Sequence, residues 1–102
     1  MTEVRLSVHE DADCELEDAA DYYDRESPGL GSAFIDEVER GYGRIRSTPF
    51  AAEEVDPGIR RLVLARFPYN LFYEVYEENA LILAIAHQRK RPYYWRGRRR
   101  AG

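Results

Sequence analysis

Three strand-like runs crowd into the stretch from Ile59 to His87, and they limit the possible folds more than any other feature of the chain. They are Ile59–Arg66, Tyr69–Tyr76 and Ala80–His87, separated by Phe67-Pro68 and by Glu77-Glu78-Asn79. In the middle run Tyr69, Leu71, Tyr73 and Val75 alternate with Asn70, Phe72, Glu74 and Tyr76, the period-2 pattern of a strand. The last run, ALILAIAH, is apolar on both faces until His87, as a central strand covered on both sides would be. Proline has no ladder donor, and Asn tolerates the left-handed backbone of tight turns, so both separators read as turns. The result is an antiparallel meander.

Upstream, Val4, Leu6 and Val8 alternate with Arg5 and Ser7, which predicts a strand over Glu3–Val8. From Asp11 the period changes. Ala12, Leu16, Ala19, Ala20 and Tyr23 fall on one face of a helix of about four turns. Asp13, Glu17, Asp21 and Asp24 line the opposite face, where like charges four residues apart cost a few tenths of a kcal/mol per pair. Packing, not surface charge, therefore holds this helix. The turn Ser27–Gly31 leads into a second helix, with Ser27 a candidate N-cap and Pro28 in the first turn. Leu30, Phe34, Val38, Tyr42 and Ile45 line its inner face, and Thr48-Pro49 ends it. Gly41 and Gly43 cost about 1 kcal/mol each against Ala, which points to a close approach by a neighbouring element. Phe50–Gly58 reads as an ordered loop.

These elements predict an α+β domain over residues 1–102 in the order β-α-α-β-β-β. A helical hairpin packs on one face of a mainly antiparallel four-stranded sheet, and the other face is left open for a partner. Disorder is expected in the tail after about residue 96.

At 102 residues the chain can build one modest core. Its 44% apolar content argues against disorder, and no apolar run approaches the roughly 20 residues that span a bilayer. The N-terminus has neither the basic flank nor the apolar centre of a signal peptide, so a cytoplasmic protein with no membrane partner is expected. Cys14 is alone, which excludes a disulfide framework and a Cys-based metal site. Residues 1–58 carry 16 Asp/Glu against 5 Arg, whereas residues 59–102 carry 3 Glu against 10 Lys/Arg. An asymmetry this steep implies two faces with different partners, or two solvated surfaces. All but one of the 15 basic residues are Arg, whose planar fork suits phosphate and carboxylate.

The element order, Tyr22-Tyr23, PGLG at Pro28–Gly31 followed by Phe34, IRR at Ile59–Arg61, RFPYNLFYEV at Arg66–Val75 and AHQRKRPYYW at Ala86–Trp95 resemble the RelE/ParE toxin superfamily. The resemblance runs from about Val4 to Trp95. It implies the toxin of a type II toxin–antitoxin pair, a plasmid stabilisation protein neutralised by a small, partly disordered, acidic antitoxin. It also implies one of two mechanisms. ParE-like members poison DNA gyrase without cutting anything, and RelE-like members cleave mRNA on the ribosome. Against the nuclease pattern Arg89 matches, but Trp95 stands where several nucleases have Tyr, and Asn70 where an Arg is expected. Indole transfers no proton near neutral pH, and Asn brings no charge to a phosphate. The gyrase reading therefore ranks first, ahead of an mRNA nuclease and of a binding module without toxicity.

If the protein is a nuclease, Arg89, His87 and Arg61 are its catalytic candidates. His87 titrates near neutrality, but it can equally close its strand with a backbone hydrogen bond. Arg60, Arg66, Lys90 and Arg91 are candidate target- or RNA-binding residues, with Tyr94 and Trp95 as base-stacking groups. Those arginines could equally anchor an acidic antitoxin, and the aromatic residues could equally pack the tail onto the sheet. Phe72 and Tyr76 are assigned to the antitoxin, whose disordered segment would wrap the open face. His9 belongs to the start of the first helix. With His9 and His87 the only histidines, no metal site and no cofactor are expected.

Overall fold

The computed structural model describes residues 3–100. Its elements are β1 (Arg5–Val8), α1 (Glu10–Glu26), α2 (Leu30–Ser47), β2 (Glu53–Asp56), β3 (Ile59–Val63), β4 (Tyr69–Tyr76), β5 (Asn79–His87) and a 3-10 turn at Arg96–Arg98. The sheet order is β1-β5-β4-β3-β2, with β1 parallel to β5 and every other pair antiparallel. The meander, the helical hairpin and the α+β class are as the sequence predicts. The fifth strand is not. β2 lies within the expected loop, and it is an edge strand with exposed Glu53 and Glu54 and a register slip before Asp56, so no apolar alternation announces it. Pairing across the ladder supports it instead: Glu53 stands opposite Arg61 and is ion-paired with it.

Local chemistry fixes the hairpin. His9 caps α1, its Nδ1 accepting the Asp11 N–H at 3.1 Å. Ser27 ends α1 instead of capping α2, because its N–H reaches back to the Tyr23 carbonyl. The cap of α2 is Gly29, at φ 90°, a left-handed conformation that costs a residue without Cβ little. A Cβ on Gly31 would collide with the Ala20 carbonyl oxygen, so the two helices meet there backbone to backbone. Gly41 makes the expected close approach, since a Cβ would lie 2.9 Å from Leu71 Cδ1; Gly43 faces open space. The turn between β4 and β5 takes its positive φ at Glu77 and not at Asn79, which already pairs in β5.

Phe34, Val38 and Ile45 of α2 and Ala12, Ala19 and Ala20 of α1 bury Leu62, Leu71, Tyr73, Ile82 and Ile85 on one sheet face. Glu37 is buried in this layer and accepts the Arg66 N–H at 2.9 Å, closing the loop after β3.

The other face is closed too, which corrects the expectation of an open one. A register shift in the β4/β5 ladder leaves Leu83 as the extra residue between the pairs Phe72–Ala84 and Tyr73–Ile82. Leu83 and Ala84 therefore bury together on the second face, with Ile59 and Trp95. Trp95 is 1% exposed. The tail after about residue 96 is folded back across this face as far as Arg100, and residues 101–102 of the expected disordered tail lie outside the described residues.

Candidate functional site

The second face and the strap that crosses it carry most of the candidate residues. The strap leaves β5 through a tight turn in which His87 takes both parts. Its carbonyl accepts the Lys90 N–H, and its Nδ1 accepts the Arg89 N–H at 3.1 Å. Tyr93, at φ 62°, then turns the chain inward so that Trp95 lies against Phe72, with ring centroids 5.3 Å apart. A left-handed Tyr is strained, and the burial of Trp95 offsets that strain.

Arginines fasten the strap to carboxylates. Arg98 Nη1 lies 3.0 Å from Glu15 Oε1 on α1 and 3.0 Å from the Leu83 carbonyl oxygen. Glu15 also accepts the Ile85 N–H at 3.0 Å and the Tyr94 hydroxyl at 2.8 Å. Burial, and then the bond to Glu15, push the Tyr94 hydroxyl well above the usual tyrosine range. On the far side Arg99 reaches Asp56 and Glu74, and Glu74 accepts the Arg100 N–H at 3.0 Å.

Two of the three catalytic candidates, Arg61 and His87, share a cleft, and Arg89 stands apart from it. Arg61 lies on the strap side of β3 and is ion-paired with Glu53. With His87, Asn70, Arg91, Tyr93 and Trp95 it lines a cleft of about 130 Å³. Arg89 lies two residues beyond β5, is exposed, and does not line that cleft. Strand alternation turns Arg60 the other way, where Nη1 donates to the Phe50 and Ala52 carbonyls. Arg66 lies over the Phe67 ring, and Lys90 over Tyr94. Among the described residues the Asn70 side chain accepts a hydrogen bond only from the Gln88 amide, at 3.4 Å. The residues assigned to an antitoxin carry the protein's own strap: Trp95 stacks on Phe72, and the Arg100 guanidinium lies 4.0 Å from the Tyr76 ring centroid. Among the described residues no cluster of His, Cys, Asp and Glu could hold a metal ion.

The residues that organise this face and were not anticipated are Glu15, Glu74, Arg98 and Arg99. Glu15 had a signal. It falls three residues after Ala12 and four before Ala19, inside the apolar stripe of α1, where a lone carboxylate needs a partner. The partners lie about eighty residues away, and nothing local in the sequence points to them.

A sequence model described as the ParE toxin of the type II toxin–antitoxin system parDE matches residues 6–92. The chain belongs to the ParE toxin family. Its fold is similar to that of a solved chain from a chromosomal ParDE toxin–antitoxin system of P. aeruginosa, with a TM-score of 0.73 at 20% sequence identity. That likeness covers 83% of this chain and 96% of the other. No curated protein sequence matches the chain. The ParE match ends at residue 92, so the strap from Tyr93 onward, with Trp95 and its arginines, lies outside what the family model covers.

Proposed function

We propose that this ParE-family toxin arrests growth in the cytoplasm by binding DNA gyrase, cuts no nucleic acid itself, and is held inactive by a cognate antitoxin. The observation that carries the reading is the burial of Trp95 at 1% exposure. The position at which several nucleases of the superfamily have a Tyr is given over to packing. Two further features support it. Asn70 brings no charge to a phosphate, and the Arg89 guanidinium has no hydrogen-bond or ion-pair partner among the described residues that would hold it at a reacting centre. A preorganised donor at a developing charge is worth roughly 100- to 1000-fold in rate, and a freely rotating surface arginine forfeits much of that.

The test has two arms. Purified toxin is added to a gyrase supercoiling reaction, and separately to a translating extract followed by primer extension. Loss of supercoiling with no new mRNA ends is the expected result; the reverse would transfer the chemistry to Arg89, His87 and Arg61. Arg89→Lys, which keeps charge but loses the planar fork, is expected to leave growth arrest nearly unchanged. Complete loss of toxicity in a variant that still folds would favour the nuclease.

A further inference from the structure

The basic residues of the C-terminal half fall into two sets that the sequence does not separate. Arg98 and Arg99 turn inward to Asp11, Glu15, Asp56 and Glu74, and Arg61 of β3 pairs with Glu53. Arg89, Lys90, Arg91 and Arg96 are exposed, and none of them makes an ion pair among the described residues. No Asp or Glu follows Glu78 in the chain, so nothing adjacent in sequence offsets these charges. They also lie together in space. Lys90 and Arg91 line one cleft with Tyr93, and the Arg96 guanidinium is 4.3 Å from the Tyr93 ring centroid. Arg66, exposed as well, belongs to the loop whose Pro68 carbonyl accepts the Gln88 N–H at 2.8 Å, at the same end of the sheet.

What such a surface can hold follows from what it lacks. Protein interfaces have an apolar, often aromatic centre from which charges are depleted. Between Arg89 and Arg96 the one large apolar side chain that is exposed is Tyr93, and Arg96 lies over its ring. Single-stranded nucleic acid is gripped by aromatic faces on which its bases stack. The aromatic faces of this stretch are already engaged. Trp95 is buried on Phe72, and the Tyr94 ring carries Lys90 and Arg98 while its hydroxyl donates to Glu15. What remains is a set of planar donor forks and one ammonium facing water. That chemistry neutralises phosphates along a duplex without reading its bases. Lys90 is the weakest member, because Glu15 and Asp18 share a cavity wall with it.

We propose that the Arg89–Arg91 turn and Arg96 form a sequence-independent site for the phosphate backbone of duplex DNA. The choice of DNA over duplex RNA rests on the gyrase reading, since gyrase grips a DNA segment while it acts. On that complex the surface adds a hold on the DNA beside the contact with the enzyme.

The probe is a fluorescent DNA duplex of about 20 base pairs, titrated with the full chain by anisotropy at rising salt and with no gyrase present. Binding is expected at low salt, with log K falling against log salt at a slope of about −3 for three or four engaged phosphates. Arg89→Gln, Arg91→Gln and Arg96→Gln should each reduce that slope by about 1 and weaken binding about threefold or more, and Lys90→Gln less. Arg40→Gln, which removes an exposed charge from α2, should change binding less than about twofold. Absence of binding at low salt would overturn the proposal. So would an equal loss from Arg40→Gln, which would reduce the effect to net charge, or tighter binding of the single strand or of an RNA duplex. Displacement of the duplex by polyglutamate of the same charge would give the surface to an acidic polypeptide instead. A toxin that binds the duplex but leaves gyrase supercoiling intact would refute the gyrase reading and keep the site. One that stops supercoiling without binding the duplex would refute the site and keep the gyrase reading.

Discussion

On the helix side of the sheet, Phe34, Val38, Leu71 and Ile82 close a core between elements that satisfy their own backbones. On the strap side, Ile59, Leu83, Ala84 and Trp95 are buried by a segment with little regular structure, held in place by Glu15, Asp56 and Glu74. The first cover depends on apolar area and the second on placed charges around one indole. Apolar burial is not screened by salt, whereas charge pairs respond to salt and to the loss of any one partner. The strap side is therefore the face that can be loosened while the domain stays folded.

The strongest way to break this contrast is to truncate the anchor of each face. Phe34→Ala should cost about 3–5 kcal/mol of global stability in a urea titration followed by circular dichroism. Trp95→Ala should fall at or below the bottom of that range, because the cleft of about 130 Å³ beside the indole leaves its cover less tightly packed than the helix layer. Equal losses would mean that the two covers are one cooperative core.

Glu15→Ala comes next, at about 1–3 kcal/mol, since it leaves the Ile85 N–H, the Tyr94 hydroxyl and the Arg98 guanidinium short of an acceptor. Hydrogen exchange should quicken at Ile85 and in the strap while α2 stays protected; uniform quickening would count against a separable strap.

A single substitution should then act with opposite signs on the two sides. The Tyr42 hydroxyl is buried in the helix layer without a partner among the described residues, so Tyr42→Phe should stabilise by about 1 kcal/mol. Tyr94→Phe removes a bond to a carboxylate and should destabilise by about 1–2 kcal/mol. Both hydroxyls also give stability an alkaline limit. Burial pushes Tyr42 up to about 12, and burial with the Glu15 bond raises Tyr94. Below the ordinary tyrosine value near 10, both folded and unfolded chains keep these protons and the contribution is whole. As pH rises above 10 the unfolded chain ionises first, so stability falls through the folded values. Each Phe variant should flatten part of that decline in thermal melts between pH 9 and about 12. The smallest effect belongs to Arg99, whose partly exposed pairs with Asp56 and Glu74 should contribute at most about 1 kcal/mol and fade at high salt.

Periodicity made one side of the molecule legible and left the other dark. The stripes Ala12–Tyr23 and Leu30–Ile45 and the alternation of Tyr69–Tyr76 identify the helix layer, because each residue's role depends on neighbours a few positions away. β2 was hidden because its pairing rests on Glu53 and Arg61 facing each other across a turn, and charges carry no period. The strap was hidden for a similar reason. A run rich in arginine reads as a solvated or target-binding tail unless its carboxylate partners are known, and Glu15 and Glu74 are distant in sequence. Trp95 reads from the sequence either as a base-stacking residue or as one that packs the tail onto the sheet, and the structure takes the second course, burying it with Leu83 and Ala84 beneath the strap.

The bond between Arg98 and Glu15 spans 83 residues of chain. Closing so long a loop costs entropy that local contacts do not incur, and a part-buried ion pair returns little of it until the surrounding packing is complete. Contacts of this kind are expected to form after the rate-limiting step, so Arg98→Ala should speed unfolding much more than it slows folding in stopped-flow kinetics. On that expectation the arginines of the strap set how long the second face stays shut once formed, and have little bearing on how quickly the domain is made.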